Sequence, residues 1–579
     1  MHKFFSQELV SLPRAILAIT IIIQSIRVFF GIDFNDEMQY YGELVSLLNS
    51  GRLFSSDLFL QQNVYLLLVP IFKPYVLLWG TENLILANRI VFAIFILWIY
   101  GQVRRNLVSV NVTPGAAATS ALAVTFAIPL ANIYAFSYNT VSLGILALCF
   151  TEFFVWRDNG RIPRILFWAI AILLLLLVYP PMGVVVGLVF LVRLWIEGDY
   201  RLIVRFATTC LAPALILFSI YFQFTTINAL TESVAFTRAF GVGQAILSSS
   251  LNLLIFSIFL GIVIVGIMIN QGFFRGSVGK LLKLKNTYLG KAIILVSIVS
   301  GSVVSVIIAS GTIPFLYPLA TLIIAVMCFI FSLLVVEGDR RQAWLWVSIL
   351  FVTTSSIMAI TSGNGFPQIQ WPAMLAAPFF FAFIMTKSGG AEPKLIINAR
   401  RSRSIIGIGI LAVYATIYLE NPYRDETVWH QTDSVKDVPA FSHIRMTSNK
   451  AQTVTMIKDT LADIPTNSRV MIIGAHPWIY FATSTQPDTD MIFMHTYSSK
   501  HAQEILAQKI DKRRPEYIVI AGLTSAEVSQ AVSHKINSGQ YNCDSRLLDQ
   551  NLVNSIKNVQ TYYEMLPSIR VCRLQVANG

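Results

Sequence analysis

The most regular pattern in this chain is a series of apolar segments, each about 20 residues long, between Pro13 and Glu420. A segment of that length matches the helix needed to cross the hydrocarbon core of a membrane. Basic clusters separate the segments, and the series stops after Glu420. The length criterion predicts about 13 spans, roughly at residues 13–32, 84–103, 115–136, 140–156, 165–179, 182–196, 206–224, 250–270, 290–309, 314–336, 343–361, 371–387 and 404–420.

One apolar stretch, residues 64–79, is not counted as a span. It contains Pro70, Lys73 and Pro74, and a crossing here would place the Arg104-Arg105 cluster on the outer side. We therefore expect a helix that lies on the outer face, within a first external loop formed by residues 33–83.

Composition and charge agree with a polytopic α-helical membrane protein. The mean hydropathy is +0.63, and 55% of the residues are hydrophobic against 13% charged. The net charge is +12, of which only +1 lies after Glu420. Lys3 lies before the first span and Arg14 at its start, so the positive-inside rule places the N-terminus in the cytoplasm and residues 33–83 outside. An odd number of spans then exports the C-terminal region.

Residues 421–579 have a different pattern, which predicts an extracytoplasmic, periplasmic α/β domain. Short apolar runs at 470–474, 490–494 and 517–521 are typical of buried strands. Helical patterns at 450–464 and 499–512 separate them, which favours parallel βαβ units. The domain boundaries are therefore 1–420 for the membrane region and 421–579 for this tail domain.

Two cysteines, Cys543 and Cys572, lie in the tail domain. An oxidising compartment would permit a disulfide between them. From the sequence, a disulfide and two free thiols are both open.

The strongest candidate for chemistry is the pair Asp36-Glu37, directly after the first span. Carboxylates are scarce in this chain, and one at a membrane exit points to function. Glu37, Tyr41 and the leucines that follow have helical spacing, with polar residues opposite, so Asp36 is predicted to begin an amphipathic helix along the membrane interface. A second interpretation is that Asp36 only caps this helix. Asp33 and Glu43 are interpreted as solvated residues.

Two further outer loops carry polar residues. Tyr138 and Asn139 lie in the run 136–140, and Asn364, Gln368 and Trp371 lie in the run 362–372. Both groups suit sugar or acceptor binding, since amides donate hydrogen bonds and tryptophan stacks on a sugar ring. Both runs also suit plain turns with interfacial aromatic residues.

A phosphate-linked donor would need cations on the outer side. Arg238 is the preferred phosphate ligand and Lys73 the second. The alternative for either is a membrane anchor whose charge reaches the interface.

Taken together, these residues resemble a known family. Asp36-Glu37, followed by the runs 39–45 and 48–54, is similar to the first external loop of GT-C fold glycosyltransferases. The closest group is the one with protein O-mannosyltransferases and lipid A aminoarabinose transferases, whose loop begins with a similar Asp-Glu and Tyr-x-Glu pattern. The runs 136–140 and Tyr179-Pro180-Pro181 resemble segments of such transferases as well. The resemblance covers the layout of about residues 1–420.

The resemblance implies a polyprenyl-phosphate sugar as donor, with transfer to an acceptor on the outer side of the membrane. Asp36 would be the general base that deprotonates the acceptor hydroxyl, and Glu37 would support it. Displacement would invert the anomeric carbon while cations stabilise the leaving phosphate. The expected acceptor is an envelope glycan or lipid, in the cytoplasmic (inner) membrane of a bacterium.

The chain departs from the family pattern in two places. Where aminoarabinose transferases have Glu-Lys-Pro, this chain has Gln61-Gln62-Asn63, so Gln62 offers the donor phosphate hydrogen bonds but no charge. Where many members have a second acidic motif, it has Asn139. Since an amide is a weaker metal ligand than a carboxylate, an obligatory divalent ion is doubtful, and no other cofactor is expected.

Other functions stay open from the sequence. They are a flippase or transporter, a ligase that uses a lipid-linked glycan, and a non-catalytic assembly protein whose tail domain binds a partner. A transporter would favour carboxylates near the middle of its spans, and the predicted spans have none there. The basic charge follows the predicted membrane topology, so nucleic acid is not an expected partner.

Overall fold

A computed structural model of the protein describes two parts, a helical bundle and an α/β tail domain. The described residues are 2–55, 58–129, 133–155, 161–196, 200–237, 339–361, 427–474, 476–489, 510–521, 540–547 and 568–575, with isolated positions beside them.

The bundle follows the predicted apolar segments closely. Its helices are α1 His2–Phe29, α2 Asp36–Ser50, α3 Val69–Trp79, α4 Leu84–Ser109, α5 Pro114–Ala127, α6 Tyr138–Val155, α7 Arg161–Val178, α8 Pro180–Ile196, α9 Tyr200–Phe224, α10 Ile227–Thr237 and α11 Asp339–Thr361. A 3-10 helix at Leu60–Leu67 precedes α3. The predicted spans at 250–270, 290–309, 314–336 and 404–420 lie outside the described residues, and 371–387 is described at isolated helical positions only.

Within the described residues, three helices are long and apolar enough to cross a membrane by length and composition. They are α4, α6 and α9. The total of about 13 spans stays a prediction. The stretch that we excluded forms α3, which has 11 residues. That is a length of about 16 Å, half of a hydrocarbon core.

The helices alternate in direction, so that one end of the bundle gathers the acidic loop and the other the basic clusters. At the first end, Arg89 near the start of α4 donates to the carbonyl of Val28 near the end of α1 (3.3 Å). At the other end, Asn106 of α4 donates to Glu152 of α6 (3.1 Å), and Arg193 of α8 lies 4.9 Å from the Phe153 ring. This alternation agrees with the charge pattern used to orient the chain.

The tail domain contains a five-stranded sheet of order β2-β1-β3-β5-β4. Helix α12 Ser448–Thr460 precedes the sheet, and α13 Ile479–Ala482 follows the first strand; the strands are β1 Arg469–Ile473, β2 Gln486–Pro487, β3 Tyr517–Ala521, β4 Tyr541–Leu547 and β5 Ser568–Leu574. Strand β1 pairs in parallel with β2 and β3, which confirms the predicted parallel unit. Strands β3, β5 and β4 pair in antiparallel order.

Two predictions for the tail domain, the strand at 490–494 and the pairing of its cysteines, can be compared with the structure. The strand expected at 490–494 lies mostly outside the described residues; of that run only Ile492 is described, and it is buried and outside any strand. The described strand on this side of β1 is the short β2. Cys543 and Cys572 are opposite residues of β4 and β5 and form a disulfide.

The tail domain lies against the acidic end of the bundle. The backbone N–H of Arg445 donates to the carbonyl of Phe29 (2.7 Å), and the N–H of Gly31 donates back to the carbonyl of Arg445 (2.9 Å). The ring of Trp478 stacks on Phe34 at 4.7 Å. The tail domain and the loop that carries Asp36 are therefore in direct contact.

Gly474 closes the turn after β1 in a conformation that only glycine adopts readily, with φ +144°. A Cβ here would lie 2.2 Å from the carbonyl oxygen of Ala521 in β3.

We expect Gly474→Ala to destabilise the tail domain by about 1–3 kcal/mol or more, because the backbone of two paired strands must move apart. Thermal unfolding in detergent measures this. Gly51→Ala, at a left-handed position with open space around it, is the control and should cost about 1 kcal/mol; equal losses in the two variants would contradict the close approach.

His476 follows the same turn, and burial lowers its pKa to about 3. In the unfolded chain the imidazole takes a proton near pH 6.5. Between these values the unfolded state binds a proton that the folded state does not, so stability falls as pH falls below about 6.5, by at most about 1.4 kcal/mol per pH unit.

His476→Gln should flatten the decline in melting temperature between pH 7.5 and 5. The exposed His443 provides the control: His443→Gln should leave the decline unchanged, and an identical slope in wild type and His476→Gln would refute the assignment.

Candidate active site

Helix α2 begins with a reciprocal cap made by Asp33 and Glu37. The Asp33 carboxylate accepts the backbone N–H of Asp36 (2.7 Å) and of Glu37 (3.2 Å). The Glu37 carboxylate in turn accepts the backbone N–H of Asp33 (3.1 Å). This arrangement satisfies two of the free amides of the first helical turn, those of Asp36 and Glu37. Asp33 therefore provides the cap, and the interpretation in which Asp36 only caps the helix is wrong.

The second oxygen of Glu37 binds Arg89 of α4. Oε1 accepts hydrogen bonds from Arg89 Nε (2.9 Å) and Nη2 (2.7 Å), and also from the Tyr41 hydroxyl (3.2 Å). Both charged side chains are buried, with 1% exposure for Arg89 and 2% for Glu37. Burial raises the pKa of Glu37, and the opposite charge of Arg89 counteracts that shift. The ion pair therefore joins α2 to α4 beside the turn between α1 and α2.

Buried cations also hold the turn between α1 and α2. Arg89 donates to the carbonyls of Val28 and Gly31, and Arg27 donates to the carbonyl of Phe30 (3.3 Å). Lys450 of α12 donates to the carbonyl of Ile32 (2.7 Å). These carbonyl groups lie at the end of α1 or beyond it, and a buried carbonyl group needs a hydrogen-bond partner. The turn before Asp36 is therefore ordered by side chains from three separate elements.

The predicted amphipathic helix is confirmed in position, but its surroundings differ from an open interface. Asp33 and Glu43, interpreted as solvated, are both buried. Glu43 Oε1 accepts hydrogen bonds from Gln39 (2.7 Å) and Gln61 (2.8 Å). The sequence could not indicate this, because the residues that cover α2 come from the tail domain and from the 3-10 helix.

Asp36 differs from the other three carboxylates of this cluster. Asp33, Glu37 and Glu43 are buried, whereas Asp36 is partly exposed. The charges of Asp36 and Glu43 both act on the Tyr138 hydroxyl. A carboxylate that solvent can reach is able to accept a proton from an incoming alcohol.

Tyr138 belongs to an aromatic group at the same end of the bundle. Its ring meets that of Tyr179 edge to face at 5.4 Å, and the Tyr179 hydroxyl lies 2.7 Å from that of Thr361 at the end of α11. Asn139 is buried directly beside Tyr138. The structure thus connects Tyr138 with Tyr179 and Thr361.

Two of the predicted phosphate ligands, Gln62 and Lys73, bind backbone groups of the protein. Gln62 is buried, accepts the backbone N–H of Phe54 (2.6 Å) and donates to the carbonyl of Glu43 (3.5 Å). Lys73 donates to the carbonyl of Leu48 (2.6 Å), about 18 Å along α2 from Asp36 at 1.5 Å per residue. Arg238 lies outside the described residues; α10, which precedes it, packs through Phe236 against Phe59 (5.2 Å).

The third outer run lies outside the described side chains as well, so nothing is assigned to Asn364, Gln368 or Trp371. Thr361, the residue before this run, is described, and its hydroxyl contacts that of Tyr179 in the aromatic group.

Sequence reasoning missed the reciprocal cap, although a signal for it exists. Asp33, Glu37 and Tyr41 are spaced four residues apart, which is the spacing of contacts along one helix face. The sequence also gives no indication of the partner of Glu37, because Arg89 lies 52 residues away. No local pattern connects two such positions.

Metal binding is not decided by these residues. Among the described side chains, no group of three or more His, Cys, Asp or Glu comes close enough together to hold a metal ion. A divalent ion therefore stays a question for experiment.

The Glu37–Arg89 pair leads to a stability prediction. Glu37→Met or Arg89→Met alone should destabilise the protein by about 3–5 kcal/mol, because each leaves one buried charge without its partner. The double variant should cost less than the sum of the two. Thermal unfolding of the three variants in detergent measures the difference.

A control for this test is the Arg546–Asp463 pair in the tail domain, in which Asp463 is 59% exposed. Asp463→Asn should change stability by less than about 1 kcal/mol, since water screens an exposed pair. Additive losses at Glu37 and Arg89 would show that the two charges are not coupled.

Compared with known proteins, the chain matches no family model and no curated sequence at a significant level. Its function is accordingly inferred from the residues of the site.

Proposed function

We propose that the chain is an integral membrane glycosyltransferase. It would move a sugar from a polyprenyl-phosphate carrier to an envelope glycan or lipid on the outer side of a bacterial cytoplasmic membrane. The observation that carries the proposal is the accessibility of Asp36. Of the four carboxylates between residues 33 and 43, it alone is partly exposed, and its charge acts on the Tyr138 hydroxyl.

The proposed reaction needs one base and one leaving group. Asp36 accepts the proton of the acceptor hydroxyl, and the freed oxygen attacks the anomeric carbon. The bond between that carbon and the phosphate oxygen breaks, and polyprenyl phosphate leaves with the bonding electrons. Attack from the side opposite the phosphate inverts the anomeric carbon.

The buried residues around Asp36 have a supporting role in this scheme. Glu37 is engaged by Arg89 and Tyr41, so it holds the loop and is not the base. Tyr138 and Asn139 are proposed to contact the sugar or the acceptor. Gln62 and Lys73 are engaged by protein groups, which leaves Arg238 as the proposed ligand of the donor phosphate.

The placement of the carboxylates favours a transferase over a transporter. A carrier for ions or charged substrates binds them near the middle of its spans. In the described part of the bundle, the cluster around Asp36 lies at the end where α1 stops and α4 begins. That end is a suitable place for a lipid-linked donor to meet an external acceptor.

The proposal predicts that Asp36→Asn reduces sugar transfer by about 100- to 10,000-fold, the usual contribution of a general base. The measurement is transfer of labelled sugar from a panel of polyprenyl-phosphate donors to envelope extracts, with protein reconstituted in liposomes. Glu82→Gln is the matched control, because Glu82 is an exposed carboxylate in the same outer loop. It should retain wild-type activity.

The outcomes separate the alternatives. Activity lost in a folded Asp36→Asn variant supports the base, and activity retained removes Asp36 from the chemistry. Transfer from diphosphate-linked oligosaccharides alone would identify a ligase. No transfer with any donor would favour the transporter or the assembly protein, and a parallel arm with EDTA decides whether a divalent ion is needed.

A further inference from the structure

The tail domain reaches into the turn that presents Asp36, and one of its lysines makes the contact. Lys450 of α12 is 3% exposed. Its ammonium donates to the carbonyl of Ile32 (2.7 Å) and lies 5.1 Å from the centre of the Phe34 ring. A cation buried between these two residues contacts the turn on both sides of Asp33.

The position of Lys450 within its own helix is unfavourable. Its backbone N–H is capped by the Thr447 hydroxyl, so its charge stands in the first turn of α12, where the helix dipole is positive. The residue gives α12 no electrostatic benefit there, and burial of an ammonium is costly. The contacts that compensate for this cost include those to the loop of the bundle.

The connection from Lys450 to Asp36 is short. Ile32, whose carbonyl Lys450 holds, is followed directly by Asp33, and Asp33 caps the amides of Asp36 and Glu37. If the carbonyl of Ile32 moves, the cap moves with it, and the first turn of α2 changes direction. The aromatic stack of Phe34 on Trp478 holds the other side of Asp33.

We propose that Lys450 is a positioning residue for Asp36, so that the tail domain forms part of the active site and is not a separate binding module. The kinetic part of this inference, an effect on sugar transfer, rests on the proposed function. Its structural part, the ordering of residues 31–37 by Lys450, can be measured without any activity.

Three variants test the contact. Lys450→Met keeps the length of the side chain and removes the donor and the charge, whereas Lys450→Arg keeps both. Lys458→Met is the control on the same helix, since Lys458 makes a partly exposed pair with Asp437 (2.5 Å). A second control, Arg513→Met, removes another bond between the tail domain and the bundle, from Arg513 to the carbonyl of Ser55 (2.8 Å).

Two readouts are needed in full-length protein. The first is the exchange of the backbone amides of Asp33, Asp36 and Glu37 with deuterium. In Lys450→Met it should become faster at these amides. The second is transfer kinetics, in which kcat should fall by about 100-fold, the effect of a small misplacement of a catalytic group, with KM for the donor little changed. Lys450→Arg should restore most of kcat, and Lys458→Met should match wild type.

The results separate the possible explanations. Unchanged exchange and unchanged kcat in Lys450→Met would overturn the inference. An equal fall of kcat in Arg513→Met would also overturn it, because general docking of the tail domain would then be the cause.

If wild type transfers no sugar, the proposed function fails while the exchange data still decide whether Lys450 orders the turn. If Lys450→Met does not fold, Lys450→Gln, which removes the charge and shortens the side chain, is measured instead, and unchanged exchange and kcat in that variant would equally overturn the inference.

Discussion

The arrangement of the candidate site depends on the buried ion pair between Glu37 and Arg89. Removing two charges from water is expensive, and the pair offsets that cost by using most of its hydrogen-bonding groups. Arg89 binds Glu37 and two carbonyls of the turn after α1, and Glu37 also binds Tyr41 and the backbone of Asp33. The end of α1, the start of α2 and the start of α4 are thereby joined at one point.

This junction explains why adjacent carboxylates have different properties. Asp36 and Glu37 are neighbours in the chain, but in a helix neighbouring side chains point about 100° apart. Glu37 binds Arg89 of α4 and becomes structural, while Asp36 stays partly exposed. The buried member holds the backbone that presents the exposed one, which is a useful arrangement for a base that must keep its position.

The tail domain has a second effect on the same turn. Through Arg445, Lys450 and Trp478 it binds the residues between α1 and α2. Helix α2 consequently lies between the bundle and the tail domain, and Gly42 leaves room for Ile492, since a Cβ at this position would be 2.9 Å from that side chain. An amphipathic helix on an open membrane surface would show its polar face to water, but Gln39 and Glu43 are buried here.

The sequence by itself determined the approximate positions of α1 to α9 and α11, the alternation of acidic and basic ends, and the parallel strands β1 and β3, but it did not predict α10. It could do so because apolar length, charge clusters and short β-branched runs are local signals. It also pointed to Asp36 as the residue of interest. Only the tertiary structure decided which carboxylates are buried, which cations hold the turn, and where the tail domain lies. Those properties depend on contacts such as Glu37 with Arg89 or Ile32 with Lys450, which are 52 and 418 residues apart, and no local pattern specifies a partner at that distance.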